Sequence, residues 1–147
     1  MTQPILVMIH VLAATIWTGG HLVLATRILP LALQQKSPEI VVNFESRYEG
    51  IGIPALLVQI ITGFWLAVLR LNTSADNQVD FSSTAAILVL AKVILLVATM
   101  ILAYQARFRH IPELNAERLP ALAKHIIGVT VLAVLFVVVG VFLRFVH

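Results

Sequence analysis

Along this chain the apolar residues do not alternate with polar ones. They gather into four long runs, roughly Pro4–Thr26, Gly50–Leu69, Ser83–Ala106 and Ile126–Leu143. A helix that crosses a bilayer needs about 20 mostly apolar residues, within a range of about 17–25, and all four runs meet that. None shows the period of two expected of a barrel strand. A chain in lipid must satisfy its backbone polar groups within the segment, so helices are what remains. The pattern predicts an all-α, integral membrane four-helix bundle. It forms one domain over residues 1–147, with helices at about 4–33, 48–71, 82–107 and 120–146. The first run is too long for a signal-peptide core and lacks a basic start or a small-residue cleavage site. It is read as a span.

Composition agrees. The chain is 60% hydrophobic and 12% charged, against about 45–50% and about 25% in soluble domains, and its mean hydropathy is +0.99. Lys and Arg concentrate in the first and third connections (Arg27, Lys36 and Arg47; Arg107, Arg109, Arg118 and Lys124), while the second carries Asp76 and Asp80. The positive-inside rule then predicts cytoplasmic first and third loops and both termini on the outer side. This asymmetry explains the pI near 9.8 and gives no reason to invoke nucleic acid as a partner. With no cysteine, disulfides, thiolate chemistry and iron–sulfur ligation are excluded.

The first run, MIHVLAATIWTGGHLVLATRILP, holds three polar-tipped rings: His10, Trp17 and His21. Eleven helical residues span about 16 Å and return to within about 20° of the starting direction. His10 and His21 therefore share a face, with Trp17 between them and Ala13 and Ala14 leaving room beside it. Gly19 and Gly20 permit close helix approach. Given the predicted topology, Lys92 matches the depth of His10 near the outer side, and His125 matches His21 near the inner side. Ionisable residues inside a membrane are costly and tend to mark function. For each histidine the alternative is an interhelical hydrogen bond, and for Lys92 it is snorkelling of the side chain to the surface.

Two imidazoles from facing helices at one depth suit axial ligation of heme b, at one or two hemes per chain. Arg27, Arg47 or Arg144 could take up the propionates. Gln59, Thr62 and Gly63 form a smaller polar patch that reads mainly as interhelical hydrogen bonding, and Trp65 reads as packing or interface. His110 and His147 read as solvent-exposed. The stretch FESRYEGIGIPALL opens the second helix. Its Glu45, Arg47 and Glu49 can pair locally as a charged surface turn, or serve as a propionate clamp or proton route.

His10, Trp17, Gly20 and Arg27, then Glu45-x-Arg47, Ile53-Pro54, Gly63-Phe64-Trp65-Leu66 and finally Lys92 form an ordered set. This set resembles the HemJ-type bacterial protoporphyrinogen oxidases and is similar to small four-helix proteins related to the copper-resistance protein CopD. The resemblance covers the first three helices. It implies a b-heme-binding inner-membrane protein forming a homo-oligomer, with His10 and Lys92 as the essential pair. Arg27 sits one residue late for the pattern, the fourth helix does not match it, and His21 and His125 are additions.

Two main readings follow. One is a membrane redox hemoprotein with iron ligands among His10, His21 and His125. It would act on a porphyrinogen-like substrate and pass electrons to a quinone, or carry electrons between the two histidine layers, the heme supplying the chemistry. The other is a copper-binding, copper-resistance protein. Cu(I) favours Cys and Met, and the chain offers only Met1, Met8 and Met100, with Met8 and His10 as one outer site. A purely structural or assembly subunit is the third possibility.

Overall fold

A computed structural model describes residues 2–71, 83–110 and 115–145. Asp76, Asp80 and His147, together with the side chains of Arg109 and His110, lie outside the described part. Helix α1 (Thr2–Val23) passes through a π-helical turn (Leu24–Ile28) into α2 (Leu29–Gln35). Pro30 follows that turn. A proline in a helix lacks an N–H and its ring presses on the carbonyl four residues back, here that of Thr26. Widening the turn, with the Leu29 N–H bonded to the Leu24 carbonyl, lets the helix continue past it.

Helix α2 ends at Lys36, the one described non-glycine residue with positive φ, at 51°. The left-handed residue turns the chain, and the Ser37 N–H closes back on the Ala32 carbonyl at 3.0 Å, in the manner of a helix C-cap. Pro38, with φ already helical, then starts α3 (Glu39–Leu71). Its carbonyl accepts from Val41 at 3.0 Å and Val42 at 3.2 Å. The second helix thus begins about nine residues earlier than the hydropathy pattern alone suggests, and FESRYEG is helical. Polar residues were enough to hide helix from a hydropathy reading, because a short turn and Pro38 set the start while Glu39 complements the helix dipole.

Helix α4 (Thr84–Gln105) is capped by Ser83, whose hydroxyl accepts from the Ala86 N–H at 3.2 Å. It ends in a second π-helical turn, Ala106–His110. Helix α5 (Leu119–Phe145) is introduced by Asn115, whose Oδ1 accepts from the Arg118 N–H at 2.9 Å. Four helical stretches (Gln3–Gln35, Glu39–Leu71, Thr84–Phe108 and Leu119–Phe145) are each long and apolar enough to cross a membrane. The first two, at 33 residues each, are about 50 Å long, well beyond a hydrocarbon core of about 30 Å. Their charged halves therefore have room to extend past the lipid.

Helix α1 packs against α3 and α5, and α5 packs against α4, whereas α3 and α4 barely touch. The order across the bundle is α3–α1–α5–α4. The tightest apolar packing (Leu24, Leu29, Val41, Leu119, Leu122 and Ile126) lies at the end of the bundle carrying the α2–α3 turn. Large side chains such as Phe64 and Phe145 face outward, as expected where lipid is the solvent.

Candidate functional site

Three pairs of contacts fix the register of the helices. Between α1 and α3, His10 meets Thr62, and the ring of Tyr48 fills a slot between Gly20 and Gly52. Between α1 and α5, the Thr18 hydroxyl donates to the Ala133 carbonyl at 3.4 Å and the Thr130 hydroxyl to the His21 carbonyl at 3.2 Å. Between α4 and α5, the Lys92 ammonium lies 3.4 Å from where a Cβ on Gly140 would sit, and Leu102 lies at 3.5 Å from the same position on Gly128. Stepping along these antiparallel pairs puts His10 level with about residue 141 of α5, and Gly140 is where Lys92 rests. His10, Thr62, Gly63 and Lys92 thus share one layer.

The His10 imidazole is held by a directed chain. Thr62 Oγ1 lies 2.8 Å from His10 Nδ1 and 2.6 Å from the Val58 carbonyl. The carbonyl only accepts, so the threonine's single proton goes there. The hydroxyl must then accept from His10, which places the imidazole proton on Nδ1 and leaves a lone pair on Nε2. Gly63 makes space for the ring: a Cβ there would lie 3.0 Å from His10 Cε1. Lys92 is half-buried and, among the described residues, makes no ion pair or hydrogen bond.

His21 reaches the same tautomer by a local route. Its Nδ1 lies 2.9 Å from the carbonyl of Trp17 on its own helix, so Nδ1 donates and Nε2 again carries the lone pair. The ring contacts Trp17 in a tilted arrangement, with centroids 4.4 Å apart and planes at 48°, and meets Tyr48 edge-to-face at 5.9 Å. Tyr48 lies parallel to Phe44 at 5.7 Å, and its hydroxyl donates to the carbonyls of Ile16 at 2.9 Å and Trp17 at 3.1 Å. A Cβ on Gly20 would fall on the Tyr48 ring, and one on Gly52 would lie 2.6 Å from it. The two glycines exist here as a socket for one tyrosine.

The register separates the other pair expected to share a depth. Because Thr130 of α5 is level with His21, His125 is offset by about five residues, roughly 7.5 Å along the axis. His125 is half-buried at the start of α5. Arg27 and Arg47 are exposed, and among the described residues neither forms an ion pair; Glu49 instead pairs with Arg107 at 3.2 Å. Exposed pairs of this kind contribute at most about 1 kcal/mol. Met8 is two residues from His10, so it points about 200° away, and it is 56% exposed; Met100 is 50% exposed. Among the described residues no three His, Asp or Glu side chains gather as a metal-binding group.

A family model for copper resistance protein D (CopD) matches residues 42–143, more than two thirds of the chain. The chain belongs to the CopD family. The CopD match takes in most of α3, all of α4 and nearly all of α5, including Tyr48, Gln59, Thr62 and Lys92. Helix α1, with His10, Trp17 and His21, precedes it. No curated protein and no solved structure matches the chain.

Tyr48 is the residue that sequence reasoning passed over, because it sits in a stretch that reads as a surface turn. The available signal was Gly52, four residues on and therefore on the same helical face, with Gly20 as the second small residue across the seam. Thr62 and Gly63 were visible as a polar patch. That they position His10 depends on the pairing of α1 with α3, which sequence spacing does not contain.

Proposed function

We propose that this chain is a copper-handling membrane protein in which Nε2 of His10 and Nε2 of His21 serve as two metal donors about 16 Å apart along α1. The observation that carries this reading is the tautomer. Each imidazole commits Nδ1 to an oxygen acceptor and keeps Nε2 as a lone pair, and such an outer hydrogen bond is what orients a metal-ligating histidine. Membership in the CopD family favours copper as the cargo. Imidazole is a suitable copper ligand, and the absence of cysteine from the sequence leaves nitrogen to do what thiolate does elsewhere. Lys92, a charge without a counter-ion among the described residues, calls for an anionic co-ligand beside a cation at the His10 level. Trp17, Tyr48 and Thr62 act as positioning residues. Arg27, Arg47 and His125 stand as charged or polar groups toward one end of the bundle. The loop charges support both termini on the outer side of a bacterial inner membrane, and the lightly covered α4 face leaves room for further copies of the chain.

The same Nε2 donors are chemically able to ligate heme iron. With His125 offset from His21, and His10 and His21 on one helix, this chain supplies one imidazole per iron, so heme b would need its second ligand from elsewhere. That makes heme the weaker reading, and with it a porphyrin substrate or a quinone acceptor. The deciding experiment is copper content of the purified full chain in detergent after Cu(I) loading and dialysis, alongside its optical spectrum. The wild type should retain copper, with part lost in His10→Ala, part in His21→Ala and nearly all in the double variant, and show no Soret band. Copper retention equal to that of the double variant sinks the proposal. A Soret band that disappears in His10→Ala replaces it with heme.

A further inference from the structure

Between the two histidine levels, two buried polar atoms have no hydrogen-bond partner among the described residues: Nε1 of Trp17 and Oε1 of Gln59. Both side chains are more than nine-tenths buried, at 6% and 9% exposure. One is a donor and the other an acceptor, and they lie on facing helices. The register that pairs His10 with Thr62 and Gly20 with Gly52 puts Trp17 opposite Ala55 and Gln59 opposite Ala13, so each large side chain faces a small one. Side chains on a helix lean toward its N-terminus. The helices run antiparallel, so Trp17 leans toward the level of Ala13 while Gln59 leans toward the level of Ala55. Each polar tip is thus carried toward the level of the other in the α1–α3 seam.

Buried polar groups in folded proteins are nearly all satisfied, and an ordered water commonly completes those the chain leaves open. The chemistry of this pair narrows the guest. It has to accept a hydrogen bond from the indole N–H and donate one to the amide oxygen. A metal cation fails the first requirement and a fully ionised anion the second, whereas a neutral hydroxyl-bearing molecule meets both.

We propose that the α1–α3 seam holds a buried water bridging Trp17 Nε1 and Gln59 Oε1, a site distinct from the two imidazoles and placed between them. Thr62 Oγ1 lies 3.4 Å from the Gln59 carbonyl, and the Trp17 ring contacts that of His21. The bridge therefore makes the stretch between the two layers polar and hydrated. The site does not rest on the copper reading, and a dry seam would leave that reading standing.

The test uses the isotope-labelled full chain in detergent with Trp65→Phe, which leaves Trp17 as the one tryptophan. Resonance Raman reports whether the indole N–H is hydrogen-bonded, and NMR cross-relaxation reports whether it lies beside water. The expected result is a hydrogen-bonded indole with a water cross-peak, both lost in Gln59→Leu. A hydrogen-bonded indole without a water cross-peak means direct contact of the two side chains and overturns the proposal. A free indole N–H means a dry seam and overturns it as well. Should Gln59→Leu fail to fold, the Trp65→Phe measurement alone decides.

Discussion

The His10 and His21 layers reach the same chemical end by opposite means. His21 is oriented by the carbonyl of Trp17, four residues back on its own helix, so its tautomer is set as soon as α1 forms. Trp17 and Tyr48 then flank the ring with aromatics, Phe44 backing Tyr48. His10 has no such local partner. Its tautomer is imposed by Thr62 on another helix, whose own proton is in turn committed to the Val58 carbonyl. One imidazole is preorganised by secondary structure and the other by tertiary packing. The practical consequence is that the His10 donor should respond to changes in α3, while the His21 donor should respond mainly to the volume of its aromatic box.

The box is the more brittle of the two in its packing. Gly20→Ala places a Cβ on the Tyr48 ring, which is already pressed against Gly52 and cannot retreat in that direction. Overpacking of this kind costs about 1–3 kcal/mol, and loss of the hydroxyl's bonds to Ile16 and Trp17 puts the expected value near 3. Gly19→Ala is the built-in control, since a Cβ there meets nothing within 4 Å. Thermal unfolding in detergent should fall sharply for the first and stay close to wild type for the second. Equal melting of the two variants would mean that Tyr48 is not seated between the glycines.

Next in size is Thr62→Val, close in shape but with no hydroxyl to accept from His10. A buried donor left without a partner costs about 1–3 kcal/mol, so about 2 kcal/mol of stability should go. The sharper readout is metal affinity. Loss of an outer hydrogen-bond partner lowers it about 10–100-fold, here at the His10 level only. Copper titrations of Thr62→Val in a His21→Ala background, and of the same substitution in a His10→Ala background, separate the levels. An equal loss in both backgrounds would contradict the division of labour.

The contrast between the layers also explains what the sequence could reveal. The four spans were legible because hydropathy over about 20 residues is a strong signal, and the His10–Trp17–His21 stripe was legible because helical periodicity is local. The shared layer of His10 and Lys92 followed from depth matching. The same method failed to place His125, since a few residues of uncertainty at a helix end amount to more than a turn. The Glu39 start of α3 and the role of Tyr48 were hidden for one reason: both lie in a polar stretch whose helicity is fixed by the Lys36–Ser37–Pro38 turn. The resemblance drawn from the first three helices and the family match to the last three overlap in α3 and α4, which is where Thr62 and Lys92 lie.

A smaller effect is expected for Tyr48→Phe. The ring stays in its socket and only the hydroxyl's hydrogen bonds are lost, about 1 kcal/mol. Tyr48 and His21 share the Trp17 carbonyl as acceptor, and without the tyrosine hydroxyl that carbonyl still accepts from His21 Nδ1, so copper retention at the His21 level in a His10→Ala background should change little. A stability loss as large as that of Gly20→Ala would show that the hydroxyl, and not the fit of the ring, holds the seam together.

The smallest change falls on the other layer and tests it most finely. In Gly63→Ala the new methyl would sit 3.0 Å from His10 Cε1, so the imidazole must move by a few tenths of an ångström. A shift that small is absorbed with little loss of folding, below about 1 kcal/mol, because the ring is only half-buried. It lengthens or tilts the bond to Thr62, however, and so loosens the one contact that orients the His10 donor. The melting temperature should therefore stay near wild type while copper affinity in a His21→Ala background drops several-fold. Unchanged affinity would mean that the His10 donor tolerates misalignment, and that its ties to α3 matter for helix pairing more than for the metal.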